Sequence, residues 1–406
     1  MTLTTDPRLT LIRAAMARHA AGRLSRRQLG WLLGVAGLSA ASVSLLTRGA
    51  AATSSTAPSH GMHSAPASQE GPPAATPVLG DQADGGRVWR VIAGGGDMAE
   101  LIEAVAFYPE EITINAGDAI FFEIRGFHNV HFLSGAAVPS LVIPDPDPTA
   151  TPTAGGPPTL ILNPEVALPV GGTSYDGTGI INSGLPLDPN APPFVLTFTT
   201  PGTYDYVCSV HLPEMTGRVV VQDTGGAYPM EQADYDRMDE EALAGQIEAA
   251  RSALVRYDAA GATPVAAGGA NVHEVTAGFL EGPMDVLRFA PESVSIKAGD
   301  TVRWVVRSAP VTPHIVTFLG DQEPPEFIVP EMAAAGPPKF VLNPMLVAPA
   351  GDAAFVAGEF LNSGLLGGPD GRDTYELTFD APGTYAYYCP IHASPTGGMI
   401  GEVVVE

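Results

Sequence analysis

Two short segments of the chain each hold a cysteine, a histidine and a methionine in the same order. They read YDYVCSVHLPEMTGRVVV, residues 204–221, and YAYYCPIHASPTGGMIGEVVV, residues 385–405. The chain has 2 cysteines, and each of them lies in one of these segments. A thiolate and two imidazoles in a plane, with a distant thioether, form a set of ligands that selects copper for electron transfer. The two segments therefore indicate two copper sites, each of which needs one more histidine.

An internal repeat identifies the missing histidines. FHNVHFLSG, which begins at Phe127, aligns with PHIVTFLG, which begins at Pro313, so that His128 matches His314. His131 falls opposite Thr317 and does not belong to the shared set. The predicted metal ligands are His128, Cys208, His211 and Met215 in the first copy, and His314, Cys389, His392 and Met399 in the second.

The repeat extends over most of the chain. FYPEEITINAGDAIFFEI begins at Phe107 and FAPESVSIKAGDTVRWVV at Phe289, while LNP, NSG and PGTY each recur at a nearly constant spacing. Self-similarity at such a long, single spacing indicates a duplicated domain of about 140 residues rather than a short-period solenoid.

The pattern within each copy predicts an all-β fold. Segments such as EITINAGDAIFFEI alternate apolar and polar residues between Gly, Pro and Asp turns, which is typical of a β-sandwich. Two Pro- and Gly-rich excursions, from Ser134 to Pro193 and from Gly320 to Asp373, interrupt this pattern. Between the copies, apolar residues recur at helical spacing from Asp236 to Tyr257, so we predict an amphipathic helix packed on one or both copies.

The N-terminal segment is typical of an export signal. Residues 1–52 contain SRRQLGWLLGVAGLSAASVSLL, a twin-arginine motif followed by a weakly apolar run, and end in small residues. A membrane anchor is the alternative, since Leu29 to Leu46 is about long enough to span a bilayer; either way we expect the rest of the chain outside the cytoplasm. The predicted organisation is an export segment, a flexible tether, a first sandwich, a helical linker and a second sandwich, at residues 1–52, 53–85, 86–223, 224–268 and 269–406.

Taken together, these motifs resemble the cupredoxin family, the blue copper proteins that include plastocyanin, pseudoazurin and amicyanin. The resemblance implies two tandem Greek-key sandwiches, one type 1 copper in each, and electron transfer between redox protein partners. It also implies that His211, beside Leu212 and Pro213, and His392, beside Ala393 and Pro395, lie near the surface as electron portals. The second copy departs from the family pattern, because six residues separate His392 from Met399 and because Ile315 stands where Asn129 of the first copy matches the family.

Other classes remain as alternatives. Copper nitrite reductases and two-domain laccases carry an additional copper, bound in part by a histidine directly before the blue-site cysteine, where this chain has Val207 and Tyr388. His131 and His273 are the spare imidazoles that such an enzyme would need to gather. A copper storage or delivery protein is a third class. The net charge of −24 excludes nucleic acid as a partner, and with one cysteine in each motif a disulfide is not expected.

Overall fold

The computed structural model describes residues 76–82, 85–147, 158–188, 190–261, 264–267, 270–332, 336–368, 371–394 and 397–406. The predicted export segment and most of the predicted tether lie outside the described residues. Within the described part of the chain, no helix has both the length and the apolar character needed to span a bilayer.

The described residues of the first copy form fifteen short strands and one helical turn. They are β1 (Gly80–Asp81), β2 (Arg87–Gly94), β3 (Gly96–Asp97), β4 (Ile102–Ala104), β5 (Phe107–Tyr108), β6 (Glu111–Asn115), β7 (Ala119–Arg125), β8 (His131–Phe132), β9 (Val142–Pro144), β10 (Leu160–Leu162), α1 (Pro164–Ala167), β11 (Ser174–Tyr175), β12 (Ile181–Asn182), β13 (Phe194–Phe198), β14 (Gly202–Val207) and β15 (Thr216–Gln222).

A long helix, twelve strands and a second helical turn complete the described chain. They are α2 (Gln232–Gly261), β16 (Val265–Ala267), β17 (Ala270–Glu281), β18 (Met284–Ala290), β19 (Ser293–Ile296), β20 (Asp300–Arg307), β21 (Thr317–Phe318), β22 (Ile328–Glu331), β23 (Lys339–Leu342), α3 (Pro344–Val347), β24 (Leu361–Asn362), β25 (Thr374–Phe379), β26 (Gly383–Ser394) and β27 (Gly397–Val405).

Each copy folds as two sheets packed face to face, which confirms the predicted fold class. In the first copy, one sheet has the order β1-β2-β7-β13-β11 and the other the order β12-β8-β14-β15-β6. The second copy repeats this plan as β25-β20-β17-β18-β4-β3 and β19-β27-β26-β21-β24. The core between the two sheets is apolar and aromatic, with Trp89 fully buried in the first copy and Trp304 in the second. The predicted domain boundaries stay a prediction.

The two copies share sheets at two places. β4 of the first copy pairs with β18 of the second, with Glu103 opposite Asp285. The two excursions also pair, through β10 and β23, where Ile161 lies opposite Val341. In both places, residues at corresponding positions of the repeat face each other, so an approximate twofold axis relates the copies.

The predicted helix is confirmed, and it is longer than its apolar pattern indicated. α2 covers the junction of β4 and β18, where Ala250 and Ala253 are fully buried against Phe279. The predicted apolar positions Leu243, Ile247, Leu254 and Tyr257 also pack on this junction. The helix therefore contacts both copies and closes one side of the sheet that they share.

The repeated LNP and NSG motifs fasten each excursion to its sandwich. Asn163 and Asn343 cap α1 and α3, each accepting a hydrogen bond from the backbone N–H two residues on. Asn182 donates to three backbone carbonyls around α1, and Asn362 donates to three around α3. Such buried, multiply bonded amides fix the excursions next to the predicted ligand loops.

Candidate metal centres

The first centre lies between the end of one strand and the start of another. Cys208 directly follows β14, and Met215 directly precedes β15, so the paired strands hold both ends of the ligand loop. The backbone closes this loop, because Cys208 N–H donates to the Met215 carbonyl at 2.9 Å and Met215 N–H to the His211 carbonyl at 2.9 Å. His128 enters from the segment between β7 and β8.

The ring nitrogens and the sulfur of this centre converge. The Sγ atom of Cys208 lies 3.6 Å from Nδ1 of His211 and 3.9 Å from Nδ1 of His128. The two Nδ1 atoms lie 3.0 Å apart. All three side chains are buried.

The second centre repeats this geometry. Sγ of Cys389 lies 3.5 Å from Nδ1 of His392 and 3.9 Å from Nδ1 of His314. The imidazole centroids are 4.8 Å apart at an interplanar angle of 56°, against 4.7 Å and 57° for His128 and His211. Two sequences that differ in loop length thus produce the same arrangement of donors.

The arrangement fits one metal ion in each cluster. A metal bound by imidazole at about 2.0 Å and by thiolate at about 2.3 Å holds these atoms roughly 3–4 Å apart. The observed separations, from 3.0 to 3.9 Å, lie in that range. Two imidazoles and one thiolate are ligands of intermediate to soft character, and this set suits copper. Among the described residues, these are the two groups of three or more His, Cys, Asp or Glu side chains with ligand atoms close enough for a metal.

Both predicted methionines lie in the same buried clusters as the cysteines. Met215 is fully buried in one cluster with Cys208, and Met399 is fully buried in one cluster with Cys389. The pairing of Tyr388 with Ile400 brings the start of β27 beside Cys389, which places Met399 at this end of the sandwich despite the longer loop. Their role as axial ligands stays a prediction.

Glycines leave the room that the first histidine of each centre occupies. A Cβ atom on Gly94 would lie 2.4 Å from the His128 ring, and one on Gly278 would lie 2.0 Å from Nε2 of His314. Both residues have positive φ, so a side chain would also be strained there. The two glycines match each other in VIAGG and VTAGF, a signal that the repeat offered and that our sequence interpretation missed.

Burial keeps three of the four histidines ready to bind a cation. It lowers the pKa of His211 and His314 well below the usual value, and that of His392 to about 4, because charging a buried imidazole is costly. Burial raises the pKa of the Cys389 thiol to about 11, so a bound cation is needed to favour the thiolate. At neutral pH these three imidazoles are therefore neutral ligands.

His128 differs from the other three. Burial lowers its pKa, but the neighbouring Cys208 sulfur and Glu103 carboxylate outweigh this and raise it to about 9. Nε2 of His128 lies 3.2 Å from Oε1 of Glu103, an ion-pair distance without the alignment of a regular hydrogen bond. In the second centre, Nε2 of His314 instead lies 3.0 Å from the Ser308 hydroxyl.

A second difference lies next to the first histidine. The side chain of Asn129 accepts a hydrogen bond from Ser209 N–H at 2.8 Å and donates to Asn182 at 2.8 Å, so it ties the two ligand loops together. Ile315 supplies no such side chain, and there the backbone N–H of Ile315 points to Sγ of Cys389 at 3.4 Å. The family pattern predicted this difference from the sequence.

The spare histidines do not join a metal cluster. Nδ1 of His131 contacts the Ser209 hydroxyl at 2.8 Å, and Nε2 of His273 contacts Asp300 at 3.2 Å. They lie in different copies and hold local structure. Both cysteines are free and buried.

The predicted portal histidines lie just below the surface, and their role in electron transfer stays a prediction. His211 is 5% exposed, and of its expected apolar neighbours Leu212 is half-buried and Pro213 is exposed. His392 and Ala393 are half-buried, and Pro395 lies outside the described residues.

Comparison with known proteins agrees with this geometry. The profile of the family described as copper binding proteins of the plastocyanin/azurin type matches residues 277–406, which is the second copy. A plastocyanin of Scenedesmus fuscus is 31% identical over 120 residues, which cover 30% of this chain and 88% of the relative. A chloroplastic plastocyanin of Hordeum vulgare is 29% identical over 188 residues, 46% of this chain and 95% of the relative.

A solved structure of an amicyanin variant in the Cu(I) state is 24% identical and covers 36% of this chain and 93% of its own, with a TM-score of 0.20. The sandwich fold and the His–Cys–His clusters define a cupredoxin-type metal-binding protein. The chain belongs to the plastocyanin/azurin family of copper-binding proteins.

Proposed function

We propose that this chain is an exported electron carrier with two type 1 copper centres, one in each copy of the repeat. The ligands of the first are His128, Cys208 and His211 with Met215, and those of the second are His314, Cys389 and His392 with Met399. The observation that carries the proposal is the recurrence of one buried donor geometry, with sulfur-to-nitrogen distances of 3.6 and 3.9 Å in one centre and 3.5 and 3.9 Å in the other.

The surroundings of these donors suit electron transfer better than catalysis. Copper bound there supplies a one-electron couple between Cu(I) and Cu(II). The protein fixes the donors from paired strands and closed loops, so little rearranges when the charge of the centre changes. Cys208 and Cys389 are fully buried, which leaves no room for a substrate to approach the sulfur side. His131 and His273 are held by Ser209 and Asp300, which supports a carrier over an oxidoreductase with an additional copper.

Export and redox partners are part of the same proposal. The SRR motif and the apolar run within residues 1–52 support transport by the twin-arginine route. The net charge of −24 favours basic redox proteins as donors or acceptors. We further propose that residues 86–223 and 269–406 are the two cupredoxin domains, with α2 in the linker between them.

Reconstitution with Cu(II) tests the proposal. Metal analysis is expected to give two coppers per chain, and the protein is expected to show intense thiolate-to-copper absorption with paramagnetic signals of the blue type alone. Reduction by ascorbate and reoxidation should occur without loss of copper. A chain that binds no copper, or one that shows a non-blue signal together with nitrite or oxygen turnover, would contradict the electron-carrier function.

A further inference from the structure

Two acidic residues lie opposite each other where the copies share a sheet. Glu103 on β4 pairs with Asp285 on β18, and the two occupy corresponding positions of the repeat. Both are buried, with exposures of 9% and 1%. Side chains alternate across a strand. The residues on either side of each acid pack against α2, so the two carboxylates point away from the helix and toward the metal centres; these flanking residues are Ile102, Ala104, Met284 and Val286.

Only one of the two carboxylates reaches a ligand. Oε1 of Glu103 lies 3.2 Å from Nε2 of His128. Gly126 makes room for this contact, because a Cβ atom there would lie 2.1 Å from the same oxygen. Asp285 is one methylene shorter, and its carboxyl group faces the Thr312 hydroxyl, without the alignment of a regular hydrogen bond, instead of a ligand histidine.

In the second copy, a longer loop supplies a different partner for the first ligand histidine. Two residues separate Arg125 from His128, whereas six separate Arg307 from His314. Ser308 lies on this longer loop, is fully buried, and places its hydroxyl 3.0 Å from Nε2 of His314. The first ligand histidine thus faces a carboxylate in one centre and a neutral hydroxyl in the other.

A carboxylate at this position has two physical effects. When Nδ1 of His128 holds a metal, the ring proton is on Nε2, and the Glu103 oxygen 3.2 Å away favours that tautomer and ring position through its charge. The negative charge, in a buried site with weak screening, also favours the more positive oxidation state of the metal. The Ser308 hydroxyl orients His314 by a hydrogen bond but carries no charge, so it lacks the second effect.

We propose that Glu103 is a positioning residue of the first centre, which orients His128 and lowers the reduction potential of that centre relative to the second. This inference rests on the proposed copper function. Because β4 belongs to the sheet of the second copy, it also means that docking of the two copies completes the surroundings of the first centre.

The test is a spectroelectrochemical titration of the full-length chain with copper in the first centre alone, obtained by adding Cys389→Ser to every protein compared. Glu103→Gln removes the charge at nearly constant shape, and Glu103→Asp keeps the charge but not the reach. Glu110→Gln is the matched control, since it removes one charge from an exposed position of the same copy. Cu(II) affinity is measured by competition with a chelator, and folding by circular dichroism.

We expect Glu103→Gln to raise the midpoint potential of the first centre, and Glu110→Gln to leave it unchanged. Glu103→Asp should weaken Cu(II) binding about 10–100-fold, the usual effect of losing a partner of a ligand histidine, with a smaller change in potential.

A midpoint that is the same in Glu103→Gln and Glu110→Gln would overturn the proposal. If Glu103→Gln does not fold, an unchanged Cu(II) affinity in Glu103→Asp would overturn it instead. If the parent chain binds no copper, the proposed function fails. If it binds copper and the Glu103 variants behave like the control, only this inference fails.

Discussion

The two metal centres use the same donors but different supports. In the first, Glu103 contacts His128, and Asn129 bridges the two ligand loops. In the second, Ser308 contacts His314, and Ile315 leaves the bridge out. The positions of the sulfur and the ring nitrogens are nevertheless almost the same in both. The comparison indicates that the sandwich and its paired strands set the donor geometry, because that geometry is kept while the surrounding polar residues differ.

The largest expected effect is the loss of one copper centre while the other remains intact. Cys208→Ser should abolish the blue absorption and the copper of the first centre and leave one copper per chain, because the thiolate is the donor that makes the site blue. Cys389→Ser should do the same for the second centre. Metal analysis and visible spectroscopy on the purified variants provide the measurement. An unchanged spectrum in either variant would show that its cysteine is not a ligand.

The next largest effect concerns Asp285, the buried acid of the second copy. Burial raises the pKa of Asp285 to about 7, so the folded protein holds this proton over a range where the unfolded chain releases it. The stability contributed by the protonated form is therefore lost as pH rises from about 4 to about 7, on the order of a few kcal/mol. Asp285→Asn should remove this dependence and raise the melting temperature at pH 8 relative to the parent chain.

Thermal unfolding at pH 5 and pH 8 measures this difference. The exposed Glu110→Gln variant serves as the control for loss of a charge. A melting temperature of Asp285→Asn that follows the parent chain at both pH values would show that Asp285 does not hold a proton in the folded protein.

The sequence predicted the ligands because they recur in two copies, and it predicted the strands because their apolar residues alternate. It did not predict Glu103 or Ser308 as partners of the ligand histidines, since these contacts depend on how β4 and the longer loop fold back in three dimensions. A signal was present, however. One acidic residue interrupts each of the two mostly apolar segments LIEAVAF and PMDVLRF, and the two acids occupy matching positions of the repeat. The shared sheet between the copies, where β4 pairs with β18, had no other signature in the sequence.

A smaller effect tests the bridge between the ligand loops. Asn129→Ile installs the residue of the second copy in the first, leaves Ser209 N–H without its buried acceptor, and removes one of the two hydrogen bonds that the Asn182 amide oxygen accepts. Leaving buried polar groups unpaired costs about 1–3 kcal/mol. We expect a loss of stability of that size in chemical denaturation, together with broader paramagnetic lines from the first centre.

Ile315→Val is the control for the second copy, where shortening a buried aliphatic side chain costs about 1 kcal/mol without removing a hydrogen bond. If Asn129→Ile were no more destabilising than Ile315→Val, the amide bridge would contribute nothing beyond packing.

The smallest expected effect is a loss of stability of the same size in the two copies. Asn163 and Asn343 cap α1 and α3 with the same geometry, and each also donates from its side chain to a backbone carbonyl, at 2.9 and 3.0 Å. Replacing a capping asparagine by alanine costs about 1 kcal/mol. Asn163→Ala and Asn343→Ala should therefore lower stability by similar amounts in chemical denaturation and leave both copper spectra unchanged, because neither residue supports a ligand histidine. Unequal losses would mean that the excursions are held differently in the two copies, and that the asymmetry of the centres extends into the fold that carries them.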